Sequence, residues 1–399
     1  MTDCYSDGVR DMKKPELKGS TIILTALFVF SCIIMPANGA LTWTIETVDS
    51  ENAGVGSSIV LDGVGHPWIS YSYNTYPESL KVAHFTGSTW EKSLVDSTGD
   101  KVTSIAIDGA GNPVIAYLES MDTRVQYAHL VGPSWVIDTV DENCDIMNAI
   151  SCVIDSVGNP HIAYIDPSDP FSIILKYVTY SGSSWNIENV PYDCDSCDIA
   201  ALALDSTGKP CISYKGATGA LMYIHKSGAS WIAETADSTG GNYPSLKINK
   251  AGNPCISYFK NDGLHYAYFA SGVWYKETVD STVGLGYYSS LALDSLGYAH
   301  IAYRDNANSD LKYAYYDGAS WHFETVDSNG DVGTYVSLDL DNYGNPYVSY
   351  RDETNRALKC AYSAVLLPSI TPESDGAGVL LFSVAAAVGC FIFLKRKSK

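Results

Sequence analysis

Two Arg-Asp pairs, Arg304-Asp305 and Arg351-Asp352, stand 47 residues apart in the matching segments AYRDNAN and SYRDETN. A guanidinium offers a planar fork of donors and a carboxylate offers acceptors, so two such pairs on neighbouring units could bracket a polyhydroxylated ligand. Asp280 and Asp327 open the connections between successive units and complete the candidate binding set. Sugar hydroxyls suit these groups, with a tyrosine or tryptophan face beneath the ring. The expected ligand on these loops is a glycan. The plainer reading is a surface Arg-Asp pair that serves only solubility.

Catalytic motifs are missing. The chain has no Gly-x-Ser-x-Gly elbow, no His-Glu-x-x-His helix and no phosphate-binding loop. A sialidase-like trio of converging arginines fits poorly, because residues 41–375 contain only Arg124, Arg304, Arg351 and Arg356. No catalytic residue is assigned; a glycosidase or lyase working through paired carboxylates stays as an alternative, since acids are abundant. His161 and His300 recur at one repeat position inside core strands and read as satisfied core residues rather than ligands.

Of ten cysteines, seven fall between residues 41 and 375. Cys144 and the Cys194, Cys197 pair occupy equivalent connections one repeat apart, which suits a disulfide between neighbouring loops. Cys-x-x-Cys is half of a structural zinc site, but the other half is not evident. Cys211 and Cys255, each in PCISY, read as buried thiols. No cofactor is implied, and the metal content is open. Calcium is the ion that the many acidic turns could take, although one carboxylate per turn is too few for a site.

The ends carry their own signals. Residues 21–35 are apolar, preceded by Lys13, Lys14 and Lys18 and followed by small residues to Ala40. Residues 1–40 therefore read as a signal peptide, with Met12 a candidate true start. After a linker at 364–375, residues 376–394 are uncharged and apolar, and 395–399 carry four basic side chains. That pattern predicts a transmembrane helix with its tail inside the cell and the rest outside. It is similar to the C-terminal sorting tails of prokaryotic surface proteins, on which a sortase-like enzyme acts. Residues 41–375 hold 41 acidic against 17 basic residues, a charge of −24, which excludes nucleic acid as a partner.

The elements that must position these groups repeat. Trp43, Trp90, Trp135, Trp185, Trp231, Trp274 and Trp321 are separated by 47, 45, 50, 46, 43 and 47 residues. Each unit reads as four short strands rich in Val, Ile, Tyr and Thr, which points to radial blades. An Asp-x-x-Gly turn joins two of the strands, at Asp62, Asp108, Asp155, Asp205, Asp294 and Asp341, with Asn249 in the fifth copy. A glycine two or three residues before six of the tryptophans makes a second hairpin.

Trp43 alone lacks that glycine, and the last unit lacks a Trp strand. The simplest closure pairs strand 43–49 with residues 357–362, so that residues 41–363 form an all-β, seven-bladed β-propeller of four-stranded antiparallel blades. In this arrangement the SLALD-type segments are innermost and the Trp strands outermost. The recurring tyrosines at 71, 117, 164, 214, 258, 303 and 350 read as packing residues.

The unit at 290–328, SLALDS through HIAYRD and LKYAYYDGASWHFETVDS, resembles the repeats of TolB-like propellers and of fucose-specific lectin-like propellers. The resemblance spans the whole repeat region and implies the fold more than the ligand. The expectation is a non-catalytic binding module anchored at the cell surface, with an extracellular glycan or surface protein as partner. The competing class is a structural or adhesive surface-layer protein.

Overall fold

A computed structural model describes residues 41–363 apart from 74–77, 120–123, 143, 145–149, 170–171, 192–199 and 283–287. The expected signal peptide, linker, transmembrane helix and basic tail lie outside the described residues, as do Cys194 and Cys197. Among the described residues no helix is long and apolar enough to cross a membrane.

Seven four-stranded antiparallel sheets make up the fold. Six are simple meanders, spanning 53–96, 99–141, 150–190, 200–237, 242–280, 289–327. The seventh takes three strands from 332–363 and its outermost strand, Trp43–Asp49, from the other end of the chain. That strand runs antiparallel to Ala357–Ser363, with Trp43 opposite Ser363 and Glu46 opposite Cys360. The ring thus closes by the pairing that the unequal first and last units imply.

Turn chemistry sets the meander. All seven Asp-x-x-Gly or Asn-x-x-Gly glycines have positive φ, from 79° at Gly208 to 94° at Gly158, where a side chain would be strained. The turn's acid closes the loop itself: Asp62 Oδ1 accepts from Val64 N at 3.0 Å and His66 N at 2.9 Å.

The core lies between blades, not within them. Each of the seven apolar clusters mixes residues of two adjacent sheets, as where Val114 and Tyr127 of blade two meet Ile162 and Tyr164 of blade three. The second strands are therefore buried on both faces; Pro113–Glu119 and Ala299–Asp305 are buried throughout. The outermost strands show solvent on most positions and bury only their last residues.

The innermost strands touch one another around the ring. A serine on each hydrogen-bonds a backbone N–H of the next: Ser58 accepts from Ile105, Ser104 from Cys152, Ser151 from Leu202, Ser245 from Leu291, Ser290 from Leu338 and Ser337 from Ile59. Blade four has Ala201 at this position and no hydroxyl to offer.

The tryptophan period has a packing cause. Trp185, Trp231, Trp274 and Trp321 each set an edge against a tyrosine of the preceding blade, Tyr127, Tyr177, Tyr223 and Tyr266, with ring centroids 5.3–5.6 Å apart. Trp43 makes the same contact with Tyr313 of blade six at 5.2 Å. The N-terminal strand therefore takes the outermost position of blade seven.

Candidate functional site

The predicted binding residues lie in the seams between blades and are divided among three of them. Six outermost strands carry a β-bulge immediately before their terminal aspartate, as where Leu311 pairs Asp327 while Lys312 pairs Thr325. The extra residue turns the carboxylate toward the next blade. There a core tyrosine donates to it: Tyr71 to Asp49 (2.8 Å), Tyr117 to Asp96 (2.5 Å), Tyr164 to Asp141, Tyr258 to Asp237 (2.7 Å), Tyr303 to Asp280 (2.8 Å) and Tyr350 to Asp327 (2.7 Å). Six of the seven recurring tyrosines are thus hydrogen-bonded fasteners as well as packing residues. Blade three ends at Val190, without the aspartate and without the bulge.

In three of these seams a lysine ties the carboxylate to a second acid. Lys312 Nζ sits 3.0 Å from Asp280 and 3.8 Å from Asp305; Lys359 sits 3.2 Å from Asp327 and 2.8 Å from Asp352; Lys176 joins Asp141 to Asp166 in the same way. Sequence reasoning found the four acids and missed the lysine that each pair shares. Burial alone would raise the Asp280 carboxyl, but bonds from Thr282, Tyr303 and Lys312 outweigh it and hold it below its usual range. Burial would likewise lower Lys359, yet its two carboxylates raise it.

A pH profile follows with opposite signs for the two groups. Depressed acids such as Asp49, Asp237, Asp280 and Asp352 contribute stability that is complete above their unfolded value of 3.8 and lost as pH falls below it. Raised Lys176 and Lys359 contribute stability that is complete below 10.5 and lost above it. Buried His161 and His265, held below 6.5, resist the protonation that the unfolded chain accepts, and buried Cys152 and Cys360, held above 9.0, resist its ionisation, so the expected urea midpoint is highest between about pH 7 and 8 and falls on both sides. Asp280→Asn should reduce the acid limb, and an unchanged limb would show that the seam carboxylates do not control it.

Both predicted arginines are buried and hydrogen-bonded to the next blade. Arg304, 8% exposed, donates to the carbonyl of Val332, to Asp331 Oδ1 at 2.7 Å and to Asn306 Oδ1 at 2.8 Å. Arg351, 4% exposed, donates to the carbonyl of Ala53 at 2.7 Å, to Asn52 Oδ1 at 3.2 Å and to Glu353 Oε2 at 2.9 Å. Each guanidinium thus grips the first residues of the next blade. Cys144 is a buried free thiol whose pKa burial pushes up to about 12. Cys211 and Cys255 are buried free thiols, as expected. His161 and His300 each share a hydrogen bond with a neighbouring tyrosine, Tyr177 and Tyr313.

Two recesses stand out among the described residues. One of about 390 Å³ lies where the innermost strands of blades five to seven end, lined by Lys247, Asp294, Asp339 and Asp341. The other, of about 250 Å³, is a crevice between the outer parts of blades five and six. Its walls are Tyr266, Tyr268, Tyr298, Tyr316 and Trp321, with Glu277 among them. Trp321 Nε1 donates to Glu277 Oε2 at 3.0 Å, while its ring lies 5.5 Å from Tyr316 and 5.6 Å from Tyr266. Tyr298 meets Tyr316 edge-on at 5.9 Å, and Tyr268 stacks on Tyr275 at 5.3 Å.

This crevice combines several aromatic surfaces with one carboxylate, as small-ligand sites do. Burial raises the Tyr266 and Tyr268 phenols, which stay protonated and neutral. Sequence reasoning overlooked it because its residues come from two blades. The available signal was departure from the repeat: Tyr298 stands where other blades have Asn, Lys or His, and Tyr268 where they have His, Thr or Tyr.

No protein-family model and no curated protein matches the chain. Solved structures do. A lectin from Aleuria aurantia, solved in complex with Fucα1-6GlcNAc, aligns at a TM-score of 0.51 with 10% identity, over 70% of this chain and 97% of the lectin. AofleA from Arthrobotrys oligospora aligns at 0.48 with 12% identity, over 73% and 91%. A protein of unknown function from Dyadobacter fermentans aligns at 0.46 with 10% identity, over 80% and 99%. At such identities the likeness is one of fold: the chain is a seven-bladed β-propeller whose structural neighbours include lectins.

Proposed function

We propose that the propeller is a non-catalytic extracellular binding module for a glycan, with its site in the aromatic crevice between blades five and six. The observation that carries this reading is the meeting of Tyr268, Tyr298, Tyr316 and Trp321 around Glu277. Sugar rings present an apolar C–H face that suits flat aromatic surfaces and hydroxyls that suit a carboxylate and phenols. The Aleuria aurantia lectin, solved with a fucoside, shares the fold and supports the ligand class without locating it. Cell-surface display is part of the proposal and rests on the apolar run 376–394 and the basic residues that follow it.

The test is a glycan-array screen of the full chain in detergent, repeated with Glu277→Gln and Tyr268→Ala. Loss of a charge-assisted hydrogen bond should weaken a bound glycan about tenfold or more in Glu277→Gln, with an unchanged melting curve. A blank array, or binding untouched by both variants, would remove the crevice as a glycan site and leave a protein-binding scaffold as the better reading.

A further inference from the structure

Asp62, His66 and His84 of blade one offer ligand atoms that all lie within 4.8 Å of one another. The same positions in other blades show what is unusual. In blades two, three and seven the residue after the turn glycine is Asn112, Asn159 or Asn345, and its amide donates to the second oxygen of the turn aspartate at 3.3, 3.1 and 2.7 Å. That oxygen is satisfied inside the turn. Blade one replaces the asparagine with His66. Asp62 Oδ1 still accepts the two backbone N–H groups, but Oδ2 instead faces His84 Nε2 at 3.7 Å, beyond hydrogen-bonding range.

His84 Nε2 is buried and has no hydrogen-bond partner. Its ring is held in place, stacked on Trp68 with centroids 3.8 Å apart and planes at 10°. The His66 ring sits edge-on to Phe85 at 6.2 Å, and a Cβ on Gly87 would fall 3.2 Å from its Nε2, so the hairpin glycine makes room for it. A buried imidazole nitrogen without a partner loses free energy unless something binds it. Here the group opposite it is a carboxylate with a free lone pair, and a second imidazole stands alongside.

We propose that Asp62, His66 and His84 bind a divalent transition-metal ion of the zinc class. Two imidazoles and one carboxylate are a recurring ligand set for such ions and leave a fourth position for water or an exogenous group. Tetrahedral zinc with bonds of about 2.0–2.1 Å needs ligand atoms about 3.3 Å apart, so the set must contract by a rotamer-scale adjustment. All three residues lie on one hairpin-linked patch, the turn and the third strand of a single blade. The ion would therefore clasp blade one without bridging blades. The site is distinct from the crevice between blades five and six, and neither proposal depends on the other.

The repeat itself supplies the control variants. His66→Asn restores the residue used by four other blades, and His84→Thr installs the residue of blade three, Thr179. Neither should disturb folding, which the melting curve of the metal-free protein checks. Zn²⁺ is titrated into the full chain against a chromophoric chelator, and Co²⁺ binding is followed by its visible absorption. The expected result is one equivalent bound by the unaltered protein, with affinity lower by about 10–100-fold or more in each variant. Zinc should also raise the melting temperature of the unaltered protein alone. Zinc uptake that is absent, or equally tight in His66→Asn and His84→Thr, would overturn the proposal.

Discussion

Deleting residues 41–49 is expected to abolish the stable monomer. The strand does four things at once. It completes blade seven through its ladder with Ala357–Ser363, its Trp43 packs on Tyr313 of blade six, its Asp49 accepts from Tyr71 of blade one at 2.8 Å, and Lys81 and Lys92 lie 3.6 and 3.3 Å from that carboxylate. Its loss exposes a strand edge, a template for aggregation, and leaves Tyr71 buried without an acceptor. The truncated chain should elute as aggregate in size-exclusion chromatography and be cut readily by protease. A synthetic peptide of residues 41–50 added in trans should restore part of the monomer. Trp43→Ala alone should cost about 2–3 kcal/mol, below the fully buried range because the residue is only partly buried. A truncated protein with an unchanged urea midpoint would mean that three strands suffice for blade seven.

Arg351→Ala should be the most damaging single substitution on the loop face. The guanidinium is almost fully buried and holds a backbone carbonyl, an amide and a carboxylate of its surroundings. Truncation leaves Ala53 O and Glu353 without their donor, an expected loss of about 2–4 kcal/mol. Arg351→Lys should recover less than half of this, because an ammonium cannot reproduce the planar fork. Arg304→Ala should behave similarly for the seam between blades six and seven. Urea denaturation decides the matter, read beside glycan binding. If both alanine variants melt like the parent and lose ligand, the arginines act as ligand-facing forks instead.

The fold was legible because its signals are local and repeated. Trp spacing gave the blade count, the Asp-x-x-Gly turns gave the hairpins, and the unmatched Trp43 strand gave the closure. The role of Arg304 and Arg351 was not legible, since nothing local to AYRDNAN or SYRDETN says that the side chain folds back onto Val332 or Ala53. The inward turn of Asp280 and Asp327 is not legible either, because the bulge that makes it exists only once the outer strand has paired. The crevice was hidden for a related reason. Glu277 and Tyr298 belong to different blades, and their meeting is a property of the ring. What a single sequence does expose is broken repetition. His66, His84, Tyr268 and Tyr298 fall at only two repeat positions, and those two positions vary across blades while the residues around them repeat.

Splitting the last sheet between the chain's two ends has a consequence for biogenesis. Strand Trp43–Asp49 leaves the ribosome first among the described residues, and its partner Ala357–Ser363 leaves last. Some 300 residues of synthesis separate them. At about 5–20 residues per second, the first strand waits for at least several seconds with no partner to pair with. The ring cannot be completed during translation, and its final step is a contact of very long sequence separation, the slowest kind to form. Until then the hydrogen-bonding edge of the first strand stays open to solvent and to other chains.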